Sequence, residues 1–302
     1  MAKTSRPRGK GRTSDAPPGQ QNQAAVWVIA FLDLMGYRRE LLAIGDRPTV
    51  DQEEIARRFS RVVGRRGTLV RPIEDYFNRI RPARPDLYRE PLGPNGPPMS
   101  QFIGAVDVAV TGFSDSIFLE SSLGSSVTNP LIPLNTIVAA SIIALFVNLR
   151  DGSPVRGAID IGFGLRNEGQ LYSSATVRAV ELEKCAKYPR ILVGSSSLRT
   201  LAGIASGQET NESRMARIIL GVLFRDPDDG LVGLDFMGET SRRFYAQKIT
   251  STDVEAIWTF ARRSRDEFST SGMQKEWGYY DRLVKYMAPR LDTWGVKAPA
   301  ER

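Results

Sequence analysis

The chain has 302 residues, 25% of them charged and 41% apolar, with a formal net charge of +7. That length buries a full core, and one catalytic domain with elaborations fits it better than two equal domains. It contains no histidine and one cysteine, which excludes Ser–His–Asp and Cys–His catalysis, histidine-ligated zinc, thiolate clusters and a disulfide framework. No G-x-x-x-x-G-K-[ST] loop occurs, so a P-loop enzyme is excluded as well. Carboxylates, Lys/Arg side chains, backbone amides and oxygen-loving metals are left for catalysis.

The charge is unevenly placed. Residues 1–24 carry Lys3, Arg6, Arg8, Lys10 and Arg12 against Asp15, so most of the excess sits in a Gly/Pro/Gln-containing segment. That segment is predicted to be a disordered basic tail, and nucleic acid is not an expected partner, because the remaining chain is only weakly basic. The polar N-terminus does not resemble a secretory leader. The longest apolar stretch, Leu131 to Val147, contains Pro133 and Asn135 and reads as a helix buried against a sheet, not as a membrane span. A cytoplasmic protein without membrane contact is the expectation.

Residues 25–302 are expected to form a single domain, with a core over about 25–240 and C-terminal helices over about 250–295. AVWVIAFLD is a near-continuous apolar run ending on Asp33, the pattern of a buried central strand. Gly36 permits a tight turn after it. Residues 51–81 read as helical with a break near Gly64 to Pro72, and residues 82–100, with six prolines, as a loop or linker. IGAVDVAVTGF and SIFLESS form a predicted hairpin around Ser114–Asp115. After the apolar helix at 129–150, PVRGAIDIGFGLRN is a strand, Glu168–Gly169 a turn and QLYSS a short return. ATVRAVELEKCAK is helical, with Cys185 read as a core cysteine, and RILVG is a strand. The remainder holds a helix near 196–206, a strand at GLVGLDFM, and helices near 252–267 and 273–291. Asp226, Asp228 and Asp229 make a turn around Pro227. The expected fold class is α/β (α+β), a mixed and mostly antiparallel sheet flanked by helices in a ferredoxin-like order with additions.

Two acids stand out. Asp33 closes an apolar strand beside a turn whose amides at Met35, Gly36 and Tyr37 can face a metal-bound phosphate. Asp115 tips the hairpin. Either acid alone also fits ordinary turn chemistry. If their strands are neighbours, the carboxylates lie side by side, which suits Mg²⁺ or Mn²⁺ shared with substrate phosphates and a two-metal displacement at phosphorus.

FLDLMGY, FSDSIF, VRGAIDIGFG, a helix ending in LE and then PRILV follow one another over roughly residues 26–195. In that order they resemble the class III adenylate/guanylate cyclase catalytic domain. The run VELEKCAKYPRI over Val180–Ile191, and the 82 positions between the two aspartates, look most like the bacterial Pycsar pyrimidine cyclases. The resemblance implies a ferredoxin-like cyclase core with two Mg²⁺ or Mn²⁺ ions per site, held by Asp33, Asp115 and the Leu34 carbonyl. It implies a triphosphate cradled by the backbone of Met35, Gly36 and Tyr37. It also implies a head-to-tail homodimer with sites at the interface, and a separate effector that the cyclic nucleotide activates in antiphage defence.

The helix departs from the family pattern, with Val177 where the family has asparagine and Glu181 where it has a transition-state arginine. Arg178, a neighbour of Glu181 on the helix surface, is the candidate for that charge, with Arg156 on the preceding strand as the alternative. The base-reading positions fall on Thr111 and Gln170, a neutral pair in place of the lysine and acid of adenylate cyclases. That pair leaves a pyrimidine or guanine base open. The expected reaction is UTP to cyclic UMP, with cyclic CMP, cyclic AMP or an inactive nucleotide-binding module as alternatives. A haloacid dehalogenase-type phosphatase needs a D-x-D motif, and here Asp33 is followed by Leu34 and Met35.

Overall fold

The apolar run that ends on Asp33 forms the central strand β1 (Gln23–Leu34). Its side chains alternate as a two-residue repeat requires. Val28, Ala30, Leu32 and Leu34 enter the main core, while Trp27 and Ile29 join a smaller cluster on the opposite face. The protein is seen here as a computed structural model that describes residues 23–36, 52–76, 106, 108–113, 115–123, 131–167, 169–245 and 249–297. The basic tail, the proline-rich 82–100 segment, Tyr37 and Glu168 lie outside the described residues.

Strands β3 (Ser116–Ser122) and β4 (Val155–Asn167) run antiparallel on either side of β1. The predicted hairpin exists: β2 (Ala109–Phe113) pairs with β3, and β5 (Gln170–Ser173) returns along the far end of β4. A parallel β6 (Ile191–Val193) follows on the other side of β4, then β8 (Val232–Leu234) and β7 (Leu223–Arg225). Among the described residues this is an eight-stranded sheet in the order β2-β3-β1-β4-β6-β8-β7, with β5 on β4. The fold is therefore mixed α/β, with a mostly antiparallel sheet flanked by helices.

Helices α1 (Gln52–Asp75) and α2 (Leu131–Arg150) precede β2 and β4 respectively. α2 is the one helix among the described residues long and apolar enough to cross a membrane, and 89% of its apolar window is buried inside the protein. Helix α3 (Ser174–Glu183) covers the opposite face of the sheet, setting Ala175 and Ala179 against Trp27 and Ile29. Ser173 caps it, its hydroxyl accepting from the Ala175 amide at 3.1 Å. The later helices are α4 (Ser195–Ala205), α5 (Asn211–Gly221), α6 (Glu239–Tyr245), α7 (Ser251–Thr270) and α8 (Gln274–Met287). Side chains of α7 and α8 share the core of α2. The Tyr286 hydroxyl at the end of α8 donates to Asp235 at 2.8 Å and accepts from the Met237 amide at 3.0 Å.

Three expectations need correction. α1 does not break near Gly64 to Pro72 but runs through both glycines and the proline. Pro72 removes one N–H in the last turn, where burial of Leu69, Ile73 and Tyr76 outweighs that loss. Cys185 is exposed, because α3 stops at Glu183 and the cysteine falls in the turn beyond. Helices α5 and α6 and strand β7 were not predicted at all.

Candidate functional site

The site candidates collect at the end of the sheet where β1 finishes. Register places Ser116 of β3 and Arg156 of β4 as the two cross-strand neighbours of Asp33. The Ser116 hydroxyl donates to Asp33 Oδ1 at 2.8 Å. Asp115 sits one residue before β3, and its carbonyl accepts from the Leu34 amide at 3.2 Å. The structure thus brings Asp33, Leu34 and Asp115 together, as strand adjacency requires. Leu34 directs its side chain into the core and offers only backbone here. Met35 donates its amide to the Pro154 carbonyl at 2.9 Å, so that donor is engaged within the fold. Gly36 has φ +83°, the left-handed conformation that this turn needs and glycine adopts without strain.

Sequence reasoning missed the arrangement of two further groups. Glu183, the last residue of α3, is buried and touches Arg156 through Oε1 and Nε. Arg156 also reaches Asp33, Nη2 to Oδ2, at 3.5 Å. Burial is the main cause that raises the Asp33 carboxyl above its usual range, opposed by the Ser116 hydrogen bond; the Asp115 charge raises it further and Arg156 lowers it. Burial also raises Glu183, which Arg156 opposes and the Asp33 charge reinforces. One guanidinium thus bridges Asp33 and Glu183, with the Asp115 charge acting on Asp33 and Lys184 as a further cation acting on Glu183. Among the described residues acids outnumber cations here, and such hard oxygen donors suit Mg²⁺ or Mn²⁺. Among the described residues no group of three metal-ligating side chains is close enough to hold an ion unaided. An ion bound here would need further oxygen ligands from water or from another molecule.

Arg178 is placed elsewhere. Its Nε donates to Asp160 Oδ2 at 2.6 Å and its Nη2 to the Ile161 carbonyl at 2.6 Å, and it does not pair with Glu181. Asp160 also accepts from the Ser197 amide at 3.1 Å and the Ser197 hydroxyl at 3.3 Å, tying β4 to α3 and α4. Gly162 makes this possible, since a Cβ there would stand 2.7 Å from Arg178 Nη2. Asp160 is level with Ile29, four residues along β1 from Asp33 and so about 13 Å away at 3.3 Å per residue. Arg178 borders a cavity of about 450 Å³ with Asp160, Glu181, Ser195, Leu198 and Arg225.

The two base-reading candidates are also apart within one chain. Thr111 is exposed on β2 beside Phe118. Gln170 begins β5 and accepts from the Tyr172 hydroxyl at 2.8 Å. Four strand spacings separate them across the sheet, about 19 Å, and nine residues along β4, about 30 Å. Between them Arg166 lies 4.7 Å over the Trp27 ring and donates to Glu120 at 2.8 Å.

The run at 189–193 has a structural basis. Arg190 is buried, stacks 4.5 Å over Tyr188 and donates to Asp226 at 2.7 Å, fixing the predicted Asp226–Asp229 turn against β6. No family model matches the chain, and neither does any curated protein or solved structure.

Proposed function

We propose that this chain is a nucleotide cyclase that converts a nucleoside triphosphate, UTP in the first instance, into a 3′,5′-cyclic monophosphate and pyrophosphate. The observation that carries the reading is the pair of acids at the end of the central strand, Asp33 on β1 and Asp115 beside it, whose backbone carbonyl accepts from the Leu34 amide. The connection β1–α1–β2–β3–α2–β4, with β1 between β3 and β4, supports a ferredoxin-like cyclase core. Neither Thr111 nor Gln170 is charged, which leaves a pyrimidine or guanine base open, and the resemblance to pyrimidine cyclases favours the pyrimidine.

Asp33, Asp115 and the Leu34 carbonyl would hold the metal ions, which when bound lower the pKa of the ribose 3′-hydroxyl and neutralise the triphosphate. In the reaction the 3′-oxygen bonds to the α-phosphorus, the α–β bridging P–O bond breaks, and the hydroxyl proton leaves to solvent. Ser116 fixes the Asp33 rotamer through its hydrogen bond, so that carboxylate is oriented before substrate arrives. Among the described residues, Arg156, half-buried beside Asp33, is the cation that one chain supplies at this end of the sheet. Arg178 would have to act on a second subunit's site, which accords with a head-to-tail homodimer. The β4–β5 hairpin offers a surface for such a contact: Phe163 and Tyr172 are 76% and 61% exposed. A cytoplasmic location and a separate effector responding to the product complete the proposal.

The second reading is a cyclase-like module that binds nucleotide without turning it over. The pairing of Arg178 with Asp160 favours it, because a committed guanidinium is not free to follow a phosphoryl group. Incubation of the full chain with each of the four nucleoside triphosphates and Mn²⁺, analysed for cyclic monophosphates, separates the two. Cyclic UMP is expected, with Asp33→Ala and Asp115→Ala each reducing it more than about a hundredfold. Metal-dependent triphosphate binding without any cyclic product would replace the first reading by the second.

A further inference from the structure

Arg156 occupies the β4 position directly opposite Asp33. An arginine so placed ordinarily closes on a carboxylate with hydrogen bonds of roughly 2.7–2.9 Å, often two of them. Here the approach to Asp33 is one contact at 3.5 Å. The guanidinium is held instead by Glu183, whose carboxylate meets Nε. Glu183 has little freedom to do otherwise: its side chain is 5% exposed, and α3 is fixed on the sheet by Ala175 and Ala179. Arg156 and a divalent cation would compete for the same Asp33 lone pairs, and the position of the guanidinium decides that competition.

We infer that Glu183 is a positioning residue for the metal site, holding the Arg156 guanidinium against α3 so that Asp33 stays open to a divalent cation. The inference rests on the metal-site reading above and adds a residue from outside the ligand set. Partners of this kind typically change metal affinity by about 10–100-fold.

The test is Mn²⁺ binding to the full chain without nucleotide, followed by electron paramagnetic resonance or calorimetry. Glu183→Gln keeps the shape and removes the charge, so Arg156 should close on Asp33 and Mn²⁺ should bind about tenfold more weakly. Adding Arg156→Gln to that variant removes the competitor and should restore wild-type affinity or better. Arg156→Gln alone should bind Mn²⁺ more tightly than wild type, and it provides the comparison if Glu183→Gln fails to fold. A merely structural Glu183 would lower the melting temperature of both Glu183 variants with no recovery of Mn²⁺ binding in the double variant. Unchanged Mn²⁺ affinity in Glu183→Gln, a double variant no tighter than the single, or Arg156→Gln no tighter than wild type overturns the inference while leaving the metal site standing. If wild type shows no Mn²⁺ binding that Asp33→Asn removes, the metal-site reading itself has failed and this inference fails with it.

Discussion

Strand β4 carries two arginine–carboxylate arrangements on one face, four residues apart, and they are built to different ends. At Asp160 every charge is answered: Arg178 binds the carboxylate and a neighbouring carbonyl, and Ser197 supplies two more donors. At Arg156 one guanidinium is shared between Asp33 and Glu183, with the Asp115 charge adding to the imbalance. A saturated buried acid knits elements together. An unbalanced group of acids at a strand end is a place where a cation lowers the free energy. Position on the same strand therefore does not assign a role; the local charge balance does.

Breaking the saturated arrangement should have the largest effect on stability. Asp160→Ala leaves Arg178 and the Ser197 amide without their acceptor and should cost about 3 kcal/mol, the low end for a broken buried pair because Arg178 is 39% exposed and water can rehydrate it. The check is a lower urea midpoint at unchanged slope; a loss below about 1 kcal/mol would contradict the contrast drawn here.

The unbalanced arrangement should respond in the opposite sense. Since the folded state holds the Asp33 proton more tightly than the unfolded chain does, ionising Asp33 costs stability. That cost is absent below the ordinary value of 3.8 and complete once pH exceeds the raised folded-state pKa. Asp33→Asn without metal should therefore melt above wild type at pH 7, with the gap closing as pH falls from the raised folded-state pKa to 3.8. Mn²⁺, which needs the carboxylate, should stabilise wild type and not the variant, and increasingly so as pH rises through the same window. A wild-type protein that melts above Asp33→Asn at neutral pH without metal would show that Arg156 already neutralises the site.

The smallest effect belongs to Cys185→Ser. The thiol is exposed beyond α3 and outside both arrangements, so stability by urea denaturation should stay within about 0.5 kcal/mol of wild type.

Much of the fold was legible because it is written in local periodicity. β1, the β2–β3 hairpin, α2 and β4 each carry enough alternation or continuous apolar character to be read alone. Strand β7 has three residues, too few for a period, and α5 lay behind a capping box at Thr210 and Ser213 that the apolar pattern did not advertise. The break expected in α1 failed because tertiary burial of Leu69, Ile73 and Tyr76 overrides a local cost of glycine and proline.

By itself the sequence determined that neither histidine nor a thiolate cluster is available for chemistry. It also determined that Asp33 closes a buried strand and that Asp115 tips a hairpin. Tertiary structure alone decided that these two acids share an edge with Ser116, Arg156 and Glu183, and that Arg178 is spent on Asp160. The physical reason is register. Which side chains meet across a sheet depends on alignment between strands far apart in the chain, and a one-residue slip would turn each of them to the other face.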